Sequence, residues 1–250
     1  IKNSQNMKIN KHYSFNINKK KRSKNSIKLI VIHYTGMQSE RESLNKLCNP
    51  KSEVSSHYFI NRTGKIYRLV EDRYVAWHAG KSFWGRFKNL NKNSIGIELV
   101  NKGHEFGYTN FKKKQITCLI KICKILIKKY KIKDKNIVGH SDIAPLRKID
   151  PGERFPWKQL AKKNIGIWHN YKSNSLKDFR KKKLLKKKDE KKFIKNLNNI
   201  GYRFTGKNKL SLNRIFKAFQ RRFRQELING ILDQECLIIS ENLSKISKKP

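Results

Sequence analysis

The chain is poor in acid, in cysteine, in proline and in uncharged apolar runs. Only 18 of its 250 residues are Asp or Glu, against 60 Lys or Arg, for a formal charge of +42. Its four cysteines, Cys48, Cys118, Cys123 and Cys236, show no C-x-x-C spacing, which excludes a thiolate zinc ribbon and a dithiol redox motif. Cys118 and Cys123 lie five apart on one predicted helix and so do not sit side by side; free, buried thiols are expected. No uncharged run is long enough for a transmembrane span. The first 26 residues are polar, rich in Lys and Asn, and lack the apolar stretch of a secretory leader. Location therefore stays open, periplasm or envelope if an export signal lies outside this sequence and cytoplasm otherwise.

So large a basic excess raises polyanion binding as a reading. Lys outnumbers Arg by 46 to 14, whereas phosphate and base-edge forks favour Arg, and the charge is spread along the whole chain. Most of it reads as composition bias, with no specific nucleic-acid partner expected.

What the chain does contain is a set of metal-ligating residue types at structured positions. The apolar run KLIVIHYTG reads as a buried strand ending near His33, and NIVGHSD as a second ending at His140. Strand ends are where an α/β sheet gathers functional groups. Asp150 follows in APLRKIDPGERFPW, where Pro145, Pro151, Gly152 and Pro156 exclude regular structure and fix the backbone. Two imidazoles and one carboxylate are the ligand set of a zinc ion with an open fourth position. Spacing alone supports a metal-assisted hydrolase.

The order HYTG, SIGIELVN, VGHSDIAPLRKIDPG, running from Ile27 to Trp168, resembles the type-2 N-acetylmuramoyl-L-alanine amidases, relatives of the peptidoglycan recognition proteins and phage lysozyme-type amidases. The resemblance implies one zinc held by His33, His140 and Asp150, a catalytic lysine at Lys148 and a catalytic carboxylate at Glu98. It also implies a substrate cleft lined by the A-W-H segment, Trp77 and His78. The substrate it implies is peptidoglycan or its muropeptides. One position departs from the phage and animal branches: Ser56 stands where they carry a catalytic Tyr, so the base role falls to Glu98. Within a largely buried strand an unpartnered carboxylate would be costly, which also favours a function for Glu98. Water activated by zinc attacks an amide without a Ser or Cys nucleophile, Glu98 manages its proton, and Lys148 stabilises the oxyanion. His57 reads as scaffold, and His12, His104 and His169 as solvent-exposed.

The predicted fold is α/β, a mixed central β-sheet flanked by helices, with a small C-terminal three-helix module. Strands are expected near Ile27–Tyr34, His57–Leu69 with a turn at Asn61–Gly64, Val75–His78, Ser94–Val100 and Asn136–His140. A helix is expected over Phe111–Tyr130, burying Ile116, Leu119, Ile120, Cys123, Ile127 and Tyr130. The domain reading is a basic tail over 1–26, the amidase-like domain over 27–170, a basic linker over 171–192 and a helical domain over 193–250. The last carries LNNIGY, FQRRF and GILDQEC, which resemble the peptidoglycan-binding three-helix module. A monomer is expected. The competing reading is a non-catalytic peptidoglycan-binding protein on the same fold.

Overall fold

The computed structural model describes residues 8–184, 186–204 and 208–248; the first seven residues of the expected tail lie outside them. The strands are Ile9–Lys11 (β1), Ile17–Asn18 (β2), Leu29–Tyr34 (β3), Tyr58–Ile60 (β4), Ile66–Arg68 (β5), Val75–Ala76 (β6), Phe83–Trp84 (β7), Phe87–Lys88 (β8), Ser94–Leu99 (β9) and Ile137–Gly139 (β10). The α-helices are Glu40–Cys48 (α1), Lys113–Tyr130 (α2), His140–Ile143 (α3), Trp157–Ala161 (α4), Ser173–Leu176 (α5), Lys187–Ile200 (α6), Lys209–Phe223 (α7) and Gln234–Ser247 (α8). The chain divides into two compact units, one running up to Gly80 and resuming over Asn91–Lys133, the other made of Lys81–Leu90 and Asp134 onward.

In the first unit the mixed sheet runs β1-β5-β4-β9-β3. β3 pairs parallel with β9, and β9 parallel with β4, while β4 and β5 form an antiparallel hairpin. β3 and β9 are buried on both faces, which is why LIVIH and SIGIEL carry apolar residues without strict alternation. The hairpin turns as the sequence predicts: Asn61 Oδ1 accepts from the amides of Thr63 and Lys65, and Gly64 takes φ +90°, where a Cβ would lie 3.0 Å from Lys114 O.

α2 starts two residues later than expected and buries Gln115, Ile116, Leu119, Ile122, Cys123, Leu126 and Tyr130. Ile120 and Ile127, expected in that stripe, are only half-buried. LIKICKILI holds more apolar residues than one helical face can cover, so two stripes compete and tertiary packing selects one. The Gln115 amide donates to Ile60 O and Val100 O, fixing the helix against the ends of β4 and β9.

The expected tail is structured from residue 9 onward. β1 pairs with β5 and β2 with β6, and the Asn16 amide is buried, donating to Asn49 O and Val54 O. Here polar side chains replace a core, so apolar patterning gives no signal.

In the second unit α6, α7 and α8 bury Phe193, Leu197, Ile215, Phe219, Ile239 and Leu243. Asp233 caps α8 by accepting from the Cys236 amide. Gly201, in LNNIGY, has φ +138°, and a Cβ there would lie 2.4 Å from Trp84 Cε2. Among the described residues no helix is long and apolar enough to cross a membrane.

Candidate metal centre

His33 is the penultimate residue of β3 and is 1% exposed. Its register partner in the parallel neighbour β9 is Glu98. In-register residues of parallel strands project from the same face, about 4.8 Å apart, so the imidazole and the carboxylate stand side by side in a buried setting. His33 Nε2 lies 3.0 Å from His78 Nδ1, and His78 Nε2 lies 3.2 Å from Ser94 Oγ. Behind them, the Gly96 amide donates to His57 Nδ1 at 3.0 Å. His57 Nε2 lies 2.8 Å from Arg22 Nη2 and 3.1 Å from Tyr74 O. Burial, and then the charge of Arg22, hold His57 neutral with its pKa down at about 3.

In the second unit β10 hands the chain directly to α3, whose first residue is His140. Asp142 ties this turn together. One of its oxygens, Oδ2, accepts from the Gly139 amide at 2.7 Å and from Arg222 Nη1 at 2.6 Å, while Oδ1 accepts from Tyr202 Oη at 2.5 Å. Arg222 also donates to Ile137 O and lies 4.3 Å over the Trp157 ring. Burial, reinforced by the Asp142 charge, pushes the Tyr202 phenol well up, keeping it a neutral donor. The loop bearing Asp150 folds back onto this turn: the Ser141 amide donates to Asp150 O at 2.8 Å, and a Cβ on Gly139 would lie 2.6 Å from Pro151 Cδ. His140 Nδ1 and Asp150 Oδ2 are 3.2 Å apart.

His33, His140 and Asp150, all buried, each offer a ligand atom within 4.8 Å of the other two. A tetrahedral zinc with bonds of about 2.0–2.1 Å separates neighbouring donors by about 3.3 Å. The His140–Asp150 edge already has that length. Three nitrogen and oxygen donors with neutralising carboxylate charge fit zinc and leave a fourth position for water.

Residues 23–153 match the family described as N-acetylmuramoyl-L-alanine amidase, Amidase_2. The chain belongs to this amidase family. The amidase is 37% identical to AmiD of Escherichia coli K12 over 230 residues, which are 87% of this chain and 82% of that protein. It is 36% identical to the 1,6-anhydro-N-acetylmuramyl-L-alanine amidase AmpD of Haemophilus influenzae over 152 residues, 53% of this chain and 80% of that one. The structure of Escherichia coli AmiD, solved with the substrate anhydro-N-acetylmuramic acid-L-Ala-D-γ-Glu-L-Lys, superposes with a TM-score of 0.77 at 35% identity, covering 88% of this chain and 90% of that one. AmpDh3 of Pseudomonas aeruginosa gives a TM-score of 0.77 at 31% identity, covering 88% and 92%. The predicted mixed sheet with flanking helices agrees with these neighbours.

Of the residues singled out in the sequence, the amidase brings His33, His140 and Asp150 together and sets Glu98 beside His33. Lys148 is half-buried, in a turn closed by its own amide donating to Ala144 O at 3.0 Å. Trp77 is half-buried, its amide donating to Ser55 Oγ. His78 is 6% exposed and lies within hydrogen-bond distance of His33 and Ser94. Ser56 is fully buried, with Oγ donating to Tyr58 O. His169, expected in solvent, is 7% exposed, and burial followed by the Lys158 charge lowers its pKa to about 4. It packs against Trp168 in the second unit, an environment that flanking polar residues conceal. His12 and His104 are exposed as expected. All four cysteines are free, Cys123 and Cys236 buried and the other two half-buried. Sequence reasoning missed Arg147, whose guanidinium reaches Lys81 O and lies 3.4 Å from His140 Nε2. It also missed Asp142 and Arg222. An Asp two residues after the candidate ligand His140 is the only local sign of that pair.

Proposed function

We propose that the chain is a zinc-dependent amidase that hydrolyses the amide between the lactyl group of N-acetylmuramic acid and L-alanine in muropeptides. The observation that carries this is the buried His33, His140 and Asp150 group in a chain of this family. Zinc held by these three side chains supplies a water that ionises near neutral pH and a Lewis acid for the carbonyl. Glu98, in register with His33, takes the proton of the attacking water and returns it to the departing α-amine of L-alanine. The carbon–oxygen bond forms, the carbon–nitrogen bond breaks, and a lactyl carboxylate and a free peptide remain. Lys148 offers a fixed positive charge to the oxyanion of the tetrahedral intermediate.

AmiD was solved with an anhydro-muropeptide as its substrate, and that ligand class is the one assigned to this chain. The motifs of α6, α7 and α8 support an additional peptidoglycan contact there. The test is release of an L-alanine-terminated peptide from a purified anhydro-muropeptide. Chelator-stripped protein should release none, added zinc should restore release, and His33→Ala should stay inactive with zinc present. Undiminished release by the stripped protein would refute the metal assignment.

A further inference from the structure

Alternation along β9 puts Ser94, Gly96 and Glu98 on one face, and each meets the same histidine system. Glu98 is in register with His33. Ser94 Oγ lies 3.2 Å from His78 Nε2. Gly96 clears the space that the His78 ring occupies, because a Cβ there would lie 2.4 Å from His78 Cγ and 2.7 Å from His78 Nδ1. Between Ser94 and His33 the His78 ring stands edge-on to the His33 ring, with centroids 5.1 Å apart and planes at 81°, and it is 6% exposed. The His57 ring, held neutral, also packs edge-on against the His78 ring, with centroids 5.7 Å apart.

We propose that His78 is a positioning residue for the metal ligand His33, fixing its tautomer and ring direction. This rests on the metal reading above. A neutral imidazole that ligates a metal through one nitrogen carries its hydrogen on the other, and the partner of that hydrogen orients the ring. His33 Nε2 faces His78 Nδ1 at 3.0 Å, so His33 turns Nδ1 to the metal and donates from Nε2. His78 then accepts at Nδ1 and carries its own hydrogen on Nε2, which donates to Ser94 Oγ. The direction of every bond follows from the first. The S-x-G-x-E pattern of β9 thus encodes the ring's anchor, its space and the neighbouring carboxylate in alternate residues.

The test is zinc affinity, read by competition with a chromogenic chelator, for the wild type, His78→Phe, His78→Asn and Ser94→Ala, each checked for folding by circular dichroism without metal. His78→Phe keeps the ring and loses the acceptor; His78→Asn keeps an acceptor close to the Nδ1 position and loses volume. The expected result is a roughly 10- to 100-fold weaker affinity for His78→Phe, substantial recovery in His78→Asn, and a smaller loss in Ser94→Ala. Should His78→Phe not fold, the order of wild type, Ser94→Ala and His78→Asn decides. Wild-type affinity in His78→Phe, or in Ser94→Ala when His78→Phe does not fold, would overturn the proposal, as would a His78→Asn affinity at or below that of His78→Phe. A wild type that takes up no zinc would overturn the metal reading and this proposal together, whereas a zinc-binding wild type with unaffected variants would overturn this proposal alone.

Discussion

Arg222 in α7 donates to Asp142 Oδ2 at 2.6 Å, with both side chains only 1% exposed. Asp142 lies two residues after the candidate ligand His140, so a helix from the C-terminal region braces the turn that presents it. Removing one partner of a buried ion pair leaves the other charge uncompensated, at a cost of about 3–5 kcal/mol. Arg222→Met should therefore lower the melting temperature of the metal-free protein and weaken zinc binding as well. A melt unchanged from the wild type would contradict the bracing role.

Glu98→Gln removes the proposed proton acceptor while keeping shape and burial. Muropeptide turnover should fall by about 10²–10⁴-fold, with zinc content by elemental analysis unchanged. Loss of zinc together with activity would mean that Glu98 supports the site rather than moving a proton.

Asp72 is 8% exposed. Burial alone would raise its pKa, yet hydrogen bonds from Lys129, Tyr130 and Tyr58 outweigh that and hold it at about 2. An unfolded Asp titrates near 3.9. Because the folded value is depressed, this carboxylate stabilises the fold fully above about pH 4, and the contribution, on the order of 2 kcal/mol, is lost as pH falls towards 2. Asp72→Asn should flatten that acid limb in urea melts taken across the window.

His57 acts in a higher window. Its folded pKa of about 3 lies below the 6.5 of an unfolded histidine. Between those values the unfolded chain binds a proton that the folded chain excludes. Stability contributed by neutral His57 is thus complete above about pH 6.5 and declines as pH falls towards 3. Two-dimensional NMR of the ring resonances should show His57 still neutral at pH 5; a charged ring at that pH would contradict the assignment.

Much of this was legible in the sequence because it obeys periodicity. β3, β9 and β10 are short apolar runs, and the histidines sit at or beside their ends. α2 is visible as a helix, although its exact buried face is not, since Ile120, Ile122, Leu126 and Ile127 compete for it. β1 and β2 are too short and too polar to register. The bond between Asp142 and Arg222 joins residues 80 apart in sequence, a pairing that leaves no periodic trace. For His78 the sequence offers only the cleft position that the resemblance of the A-W-H segment implies. Its buried position depends on the missing side chain of Gly96, which becomes informative only once β9 is known to pass beside it.

The most direct test of the amidase assignment is mass spectrometry of a purified anhydro-muropeptide after incubation with zinc-loaded protein in heavy-oxygen water. The predicted products are the anhydro sugar with one heavy oxygen in its lactyl carboxylate and an intact peptide beginning with unlabelled L-alanine. An unchanged muropeptide, or cleavage and label at any other bond, would contradict the assignment.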